Sequence, residues 1–384
     1  MGVFSIRFPM RTWFGCGCVE KVKEEARSVG ARHALILTDR GVRGAGIVDR
    51  VLGPLKAAGA EAEVFDECPA EPPIEALEAC YGRYRKEAFD LVVGVGGGSS
   101  MDVGKSMGML LGNGGEPRDY LGVELVPKPG LPTILIPTTA GTGAEATPNA
   151  IFTVKEEGVK KAIVSTYIIP RAAVVDPELT LTCPPAITAA TGVDALTHCV
   201  ESYVATNASP MSEMYSLEGI RLIASSLREA VANGANLRAR ERMALGSYYG
   251  GVGLTGAGAG AIHALAYPLG ARFGISHGVS NALMFPHVME FNCVANLEKY
   301  ARVAEAMGEW VGGLSPRDGA ARSVVAVEQI CRDVGVPGRL REVNVPEEAI
   351  PELAEAALRI KRLLDINPRR VTREDIESLY RRAA

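Results

Sequence analysis

The chain has little histidine and little tryptophan, five and two residues in 384, and it lacks several patterns that would assign it to a class at once. No C-x-x-C pair occurs among its eight cysteines, Cys16, Cys18, Cys68, Cys80, Cys183, Cys199, Cys293 and Cys331. The C-x-C of Cys16 and Cys18 is tighter than the usual zinc-site spacing. A chain of this length needs no dense disulfide framework to hold a core. All eight are therefore read as reduced thiols of a cytoplasmic protein. Basic residues are not in excess: 41 Lys and Arg against 45 Asp and Glu leave a net charge of −4. That excludes a general nucleic-acid binder, and the lack of any long run of one sign gives a membrane anchor no electrostatic support. The opening MGVFSIRFPMRTWFG has no continuous apolar segment and does not read as a signal peptide.

One absence is local. From Met243 to Ala271 there is no Asp, Glu, Lys or Arg. Such a run is long enough to span a bilayer. It is mostly glycine and alanine, however, with Tyr248, Tyr249, His263 and Pro268 inside it and few bulky apolar side chains. A tightly packed helical core is expected there, not a membrane span.

What is present divides in two. The first half alternates short apolar runs with helical patterns. Strands are expected over 33–39, 62–67, 90–98, 132–139 and 172–177, with helices over 47–60 and 74–87. Strand alternating with helix is the pattern of a parallel sheet covered on both faces. After Asp176 the pattern changes, and Cys183-Pro184-Pro185 punctuates the chain. From there helical periodicity dominates, as over 216–231, 296–307 and 373–383. The expected organisation is an α/β domain over 1–182 and an all-α domain over 183–384. No internal repeat or low-complexity tail is evident.

The stretch GVGGGSSMDVGKS, residues 94–106, follows a strand and opens a helix. Glycines allow close approach of a ligand to the backbone, and a helix N-terminus offers unpaired N–H groups and a positive dipole end. A phosphate suits that geometry better than an empty tight turn. Two standard motifs fail here. A P-loop needs a glycine five positions before Gly104, where Ser99 stands. The dinucleotide fingerprint wants an acid about twenty residues after its glycines, whereas Asp39 precedes them. Asp39 nonetheless ends a strand, where ligands of open α/β sheets bind. It has two open readings: acceptor for the ribose hydroxyls of NAD, which would repel the 2′-phosphate of NADP, or a simple helix or turn cap. PTTAGTGAEAT, residues 137–147, is a second strand end rich in hydroxyls and glycine.

Asp194 and His198 stand four residues apart on an expected helix, so they share one face. Taken alone, that pair reads as a hydrogen bond within a helix. His263 lies on the helical run AIHALA, Pro268, Gly270 and Gly274 are expected to break it, and His277-Gly278 opens the next helix. Three of the five histidines and one aspartate thus fall in apolar, glycine-flanked segments. One carboxylate and three imidazoles suit a divalent transition metal, Fe²⁺ or Zn²⁺, and a site without cysteine is more often catalytic than structural.

These segments resemble the iron-containing (group III) alcohol dehydrogenases over nearly the whole chain. The matching pieces are GGGSSMDVGK (96–105), PTTAGTGAEAT (137–147), VDPELT (175–180), AATGVDALTHCVE (189–201), HALAYPLGARFGISHG (263–278) and PHVMEFN (286–292). The resemblance implies a Rossmann-like N-terminal domain for NAD(P), a helical C-terminal domain, and a metal in the cleft between them. It implies Asp194, His198, His263 and His277 as metal ligands. Gly96, Gly97, Gly98 and Ser99 would take the pyrophosphate, Thr138, Thr139 and Thr142 the nicotinamide half. Asp39 matches an acid linked to NAD preference, and Lys160 a lysine near the cofactor ribose. One position departs: relatives commonly read H-x-x-x-H-P where this chain has HALAYP, so Tyr267 replaces a histidine associated with the substrate pocket and proton handling. An unperturbed tyrosine has a pKa near 10, far from that of a histidine relay, so two readings stay open for Tyr267: a proton-handling hydroxyl, or a side chain that only shapes the pocket. His263 and Tyr267 are the catalytic candidates, and Asn149, Leu254 and Tyr267 the candidates for the substrate pocket. The implied reaction is reversible, NAD-linked and metal-dependent oxidation of a small alcohol to an aldehyde or ketone. The alternative is an NAD- and metal-dependent lyase of the dehydroquinate synthase type. No nucleic-acid or membrane partner is expected, and the resemblance implies a homo-oligomer, a dimer or larger.

Overall fold

The apolar runs of the first half form strands whose side chains are buried on both faces of a sheet. The computed structural model describes residues 3–384. In chain order the strands are β1 (Arg11–Phe14), β2 (His33–Leu37), β3 (Glu61–Phe65), β4 (Leu91–Gly96), β5 (Gly122–Val123), β6 (Thr133–Pro137), β7 (Asn149–Val154), β8 (Val159–Val164) and β9 (Ala172–Val175). Six of them pair in parallel in the order β1-β9-β6-β4-β2-β3. The helices between them are α1 (Val22–Ser28), α2 (Arg40–Gly44), α3 (Ile47–Ala58), α4 (Ile74–Tyr84) and α5 (Gly98–Asn113). Successive residues of β2 enter opposite cores. Leu35 and Leu37 join Leu77, Tyr84, Val103 and Met107, from α4 and α5. Ala34 and Ile36 join Val22, Val51 and Leu55, from α1 and α3. This two-sided burial is why β4 is buried at all six positions and shows no polar alternation. The strand order reverses between β2 and β4. At such a switch point the carboxyl ends of the two strands open as a ligand crevice.

A second sheet was not expected. β7 and β8 form an antiparallel hairpin, with β5 parallel to β8. The β7 pattern alternates half-buried and buried residues, while Lys160 and Lys161 interrupt the apolar run of β8. β1 also lay outside the expected strands; it is a four-residue edge strand with exposed ends.

The described chain packs as two compact units. One comprises residues 7–139 and 143–183, the other residues 184–384 with 3–6 and 140–142. The second unit is helical: α6 (Pro185–Val204), α7 (Pro210–Ala224), α8 (Leu227–Ala232), α9 (Leu237–Ala257), α10 (Ala261–Phe273), α11 (His277–Cys293), α12 (Leu297–Ala306), α13 (Pro316–Asp333), α14 (Ile350–Leu358), α15 (Lys361–Leu364) and α16 (Arg373–Ala383). Two expectations need correction. The helix read over 216–231 is two helices, parted at Ser225 and Ser226. Pro268 and Gly270 do not break α10, which continues to Phe273 and stops at Gly274, in the left-handed region at φ 67°. Proline removes one helical hydrogen bond, and the burial of α10 from Ala261 to Leu269 outweighs that loss.

The charge-free run is close-packed helix. A Cβ at Gly246 would meet the Ile223 side chain at 2.6 Å, one at Gly250 the Cys199 sulfur at 3.1 Å, and one at Gly253 the Ser216 hydroxyl at 2.4 Å. Glycine therefore lets α9 lie directly on α6 and α7. No helix of the described residues is long and apolar enough to cross a membrane.

Candidate metal centre and cofactor cradle

Three helices deliver the expected ligands to one point. Asp194 and His198 sit one turn apart on α6, His263 in the first turn of α10, and His277 at the first position of α11. A close approach fixes the last of these: a Cβ at Gly278 would lie 2.3 Å from the Ala190 carbonyl oxygen, so only glycine lets the start of α11 rest on α6. The Nε2 atoms of His198, His263 and His277 lie 3.7, 3.8 and 3.6 Å from the same Asp194 Oδ1. One donor atom from each of the four residues lies within 4.8 Å of every other. Ligands ~2.1 Å from a common centre in a tetrahedron stand ~3.4 Å apart, close to the three distances from Asp194 Oδ1. The His198 and His263 rings stack with centroids 4.7 Å apart. Asp194, His198 and His263 are buried, whereas the His277 side chain keeps 23% of its surface exposed and marks the open edge.

The protonation states also suit a metal. Burial pushes the Asp194 pKa up, but His198, His277, His263 and the Asn281 amide outweigh it and hold the carboxyl below its ordinary range. Burial pushes His198 down, against the pull of Asp194, and keeps its imidazole neutral. The His198 Nδ1 donates to the Gly141 carbonyl oxygen at 3.3 Å, and His263 Nδ1 donates to Glu201 Oε2 at 2.5 Å. Both acceptors require the hydrogen on Nδ1, which leaves each Nε2 lone pair facing Asp194. A carboxylate and inward imidazole lone pairs form a donor set for a divalent transition metal.

Sequence reasoning missed the residues around that set. Asn281 Nδ2 donates to Asp194 Oδ1 at 2.6 Å and lies 3.2 Å from the Nε2 atoms of both His263 and His277. Glu201 and Gly141 were missed as well. Helical spacing carries a signal for two of them: Glu201 follows His198 by three residues and Asn281 follows His277 by four, so each shares a ligand's face. Tyr267, one turn after His263, is buried on α10, with its ring centroid 5.8 Å from that of His277 and 6.3 Å from that of His263. Leu254 is half-buried on α9.

In the α/β unit, Asp39 and the glycines stand at the ends of β2 and β4, the two strands flanking the switch point. Gly96 has φ 147°, and a Cβ there would lie 2.8 Å from Ser100 Cβ and 3.4 Å from Asp39 Oδ2. Gly97 caps α5 without a side-chain hydrogen bond, and Gly98 and Ser99 form its first turn. The opening N–H groups of a helix lack partners within it, so those of Gly98 and Ser99 could be offered to an anion. Asp39 caps α2 through Oδ1, which accepts from Val42 N at 3.0 Å, while Oδ2 accepts from the Ser100 hydroxyl at 3.4 Å. Thr138 N–H donates to Gly96 O at 3.0 Å, and Thr139 Oγ1 would stand 3.5 Å from a Cβ at Gly97. Thr142 packs with the helical unit. Lys160 on β8 has a buried side chain, paired with Glu71, whose N–H donates to Ser99 Oγ at 3.2 Å. Asn149 opens β7, and its main-chain carbonyl accepts from Lys105.

Gly104, Lys105 and Ser106 are not a phosphate loop. They lie buried within α5, and Lys105 Nζ points to Asp102 Oδ1 at 3.2 Å and the Ala144 carbonyl at 3.0 Å.

Comparison with known proteins agrees with this geometry. Residues 9–177 match the family model described as iron-containing alcohol dehydrogenase, and residues 188–384 match the C-terminal model of the Fe-containing alcohol dehydrogenase family. The chain is 41% identical to long-chain-alcohol dehydrogenase 1 of Geobacillus thermodenitrificans, over 100% of this chain and 97% of that protein. It is 39% identical to the 1,3-propanediol dehydrogenase of Klebsiella pneumoniae, over 99% of each. The crystal structure of a 1,3-propanediol oxidoreductase superposes with a TM-score of 0.97 at 39% identity, covering 100% of both chains. On these matches the chain belongs to the iron-containing alcohol dehydrogenase family and is an oxidoreductase acting between alcohol and aldehyde.

Proposed function

We propose that Asp194, His198, His263 and His277 hold Fe²⁺, with Zn²⁺ the other ion their chemistry accepts, and that the chain oxidises a small primary alcohol reversibly with NAD in the cytoplasm. The carrying observation is the convergence of three Nε2 atoms on one Asp194 oxygen. The chemistry that a divalent ion held by these four residues would supply is Lewis acidity toward the alcohol oxygen, or toward the carbonyl oxygen in the reverse direction. The chain's own part is to bind and orient. Gly96, Gly97, Gly98 and Ser99 would cradle the pyrophosphate, and Thr138, Thr139 and Thr142 would line the nicotinamide half. Asp39 would accept from the ribose hydroxyls, with Lys160 beside that sugar. The hollow next to Asp39 also carries Asp66 and Glu67, and a 2′-phosphate would meet three carboxylates there. Tyr267 flanks the open edge at His277 and would shape the substrate pocket, with Asn149 and Leu254 as further candidates. The relatives named for long-chain alcohols and for 1,3-propanediol mark the range of substrates to try. Eight cysteines, none of them in a disulfide, suit a reducing compartment.

The test is formation of NADH by anaerobically purified, ferrous-loaded protein with NAD⁺ and a panel of primary alcohols and diols. Turnover by the wild type that is lost in His263→Ala is expected. Absence of turnover in both directions with every substrate would overturn the proposal, and equal rates with NADP⁺ would overturn the role given to Asp39.

A further inference from the structure

Glu201 has no part in the ligand set, yet both of its oxygens are committed at the site. Oε2 accepts from His263 Nδ1 at 2.5 Å, and Oε1 accepts from the N–H of Ile262 at 2.7 Å. The side chain is buried and lies on α6, the helix that carries Asp194 and His198. α10 begins at Ala261 with Gly260 as its cap residue and no capping side chain of its own. Its first N–H groups are met from elsewhere: Ala261 by Asn367 Oδ1 at 3.3 Å, Ile262 by Glu201. A Cβ at Gly260 would stand 3.2 Å from both of those oxygens, so glycine keeps room for the two acceptors.

We infer that Glu201 is a positioning residue for the metal centre: one carboxylate fixes the tautomer and ring orientation of His263 and ties the start of α10 to α6. The inference rests on the metal reading above. The physical case is specific. An imidazole can rotate about two side-chain torsions and carry its hydrogen on either nitrogen. An anionic acceptor at Nδ1 selects one tautomer and one ring orientation, and it raises the electron density on Nε2. The N–H of Ile262 holds the other oxygen, so the carboxylate cannot swing away with the ring. Partners of this kind typically govern metal affinity by ~10–100-fold.

The experiment measures Co²⁺ binding by the d–d absorption of the metal-free full chain, with Zn²⁺ competition for the dissociation constant. The proteins are wild type, Glu201→Gln and Asn367→Ala. Glutamine matches glutamate in size but can present an acceptor to only one of the two donors. Glu201→Gln is expected to weaken metal binding by ~10–100-fold and to alter the Co²⁺ band positions. Asn367→Ala removes an acceptor from the same helix end without touching a ligand and is expected to leave affinity within ~2-fold, well short of an outer-partner effect. Unchanged affinity in Glu201→Gln would overturn the inference. Equal weakening in Asn367→Ala would also overturn it, because helix capping would then explain the effect. If Glu201→Gln does not fold, Glu201→Asp replaces it: it keeps the charge but falls one methylene short of His263, and the same loss is expected. Failure of the wild type to bind Co²⁺ or Zn²⁺ would instead refute the metal reading itself.

Discussion

Replacing Lys105 by methionine tests whether the lysine after the glycine loop serves the fold or a phosphate. Lys105 Nζ reaches Asp102 Oδ1 at 3.2 Å, Ala144 O at 3.0 Å, Thr147 Oγ1 at 3.3 Å and the Asn149 carbonyl. Its side chain has no exposed surface, and that of Asp102 has 12%. Burial pushes the Asp102 pKa up, Lys105 pulls it down, and the net direction is upward. Asp102 Oδ2 also accepts from Ile151 N at 2.9 Å. One ammonium and one carboxylate thus staple α5 to the start of β7. Removing the cation alone strands a buried carboxylate, which costs about 3–5 kcal/mol. Asp102→Asn should cost less, because Lys105 keeps its carbonyl and hydroxyl acceptors. The double variant should fall short of the summed costs by ~1–3 kcal/mol, the coupling usual for a buried pair in one network. A chain of two units need not unfold in one step, so the assay is hydrogen exchange read by peptide. Lys105→Met should deprotect residues 144–154 first, and denaturant titrations should locate the loss in the α/β unit. Native protection over 144–154 combined with lost NAD affinity would refute this account and restore a phosphate-binding role for the lysine.

Gly96→Ala places a Cβ 2.8 Å from Ser100 at φ 147°; it should destabilise the chain by about 1–3 kcal/mol and weaken NAD binding, and calorimetric affinity equal to wild type would refute the cradle. Burial raises the Glu145 pKa from 4.5 to about 7, so its stabilising share is present below pH ~4.5 and is lost as pH rises toward ~7, about 3 kcal/mol at ~1.4 kcal/mol per pH unit. Denaturant midpoints against pH should show that slope in the wild type and lose it in Glu145→Gln; equal slopes would show that the carboxyl is not held neutral. Tyr267→Phe keeps the ring beside His263 and His277 and removes only the hydroxyl, so kcat should stay within about tenfold. A loss of ~10²–10⁴ would instead mark that hydroxyl as a general acid or base.

The parts of the site that could be read from the sequence depend on short-range periodicity. Asp194 and His198 are four residues apart, and any helix puts them on one face. Gly96 ends the strand β4, and Gly97 and Gly98 break its apolar pattern and mark the turn into α5. Glu201 and Asn281 stand at equally regular spacings but carry no rare chemistry of their own. Glutamate on a helix is usually a solvated residue, and only the arrival of α10 makes Glu201 a partner for His263. The hairpin β7–β8 escaped notice because its pairing is decided across a turn, and the two lysines of β8 interrupt its apolar run. Pro268 misled for a related reason. Proline costs an isolated helix one hydrogen bond and a steric clash, but α10 is held by burial along its length, and a tertiary contribution of that size overrides a local penalty.

Glycine shows the same division between local and tertiary causes. In a solvated helix each glycine costs about 1 kcal/mol relative to alanine, and α9 carries Gly246, Gly250, Gly251, Gly253 and Gly256. Local propensity alone would make it one of the weaker helices. Yet Gly250 leaves the space into which Cys199 and the β-carbon of His198 fit, at 3.1 and 3.5 Å from where its own Cβ would stand. The backbone of α9 is therefore part of the wall behind a ligand. A larger residue there would press on α6 at His198, not merely loosen a distant contact. The glycines that weaken α9 as a helix are the ones that let α6 keep Asp194 and His198 aimed at the point where His263 and His277 arrive. At the buried positions of Met243–Ala271 the same packing accounts for the absence of charge: a charged side chain there would find neither room nor water to solvate it.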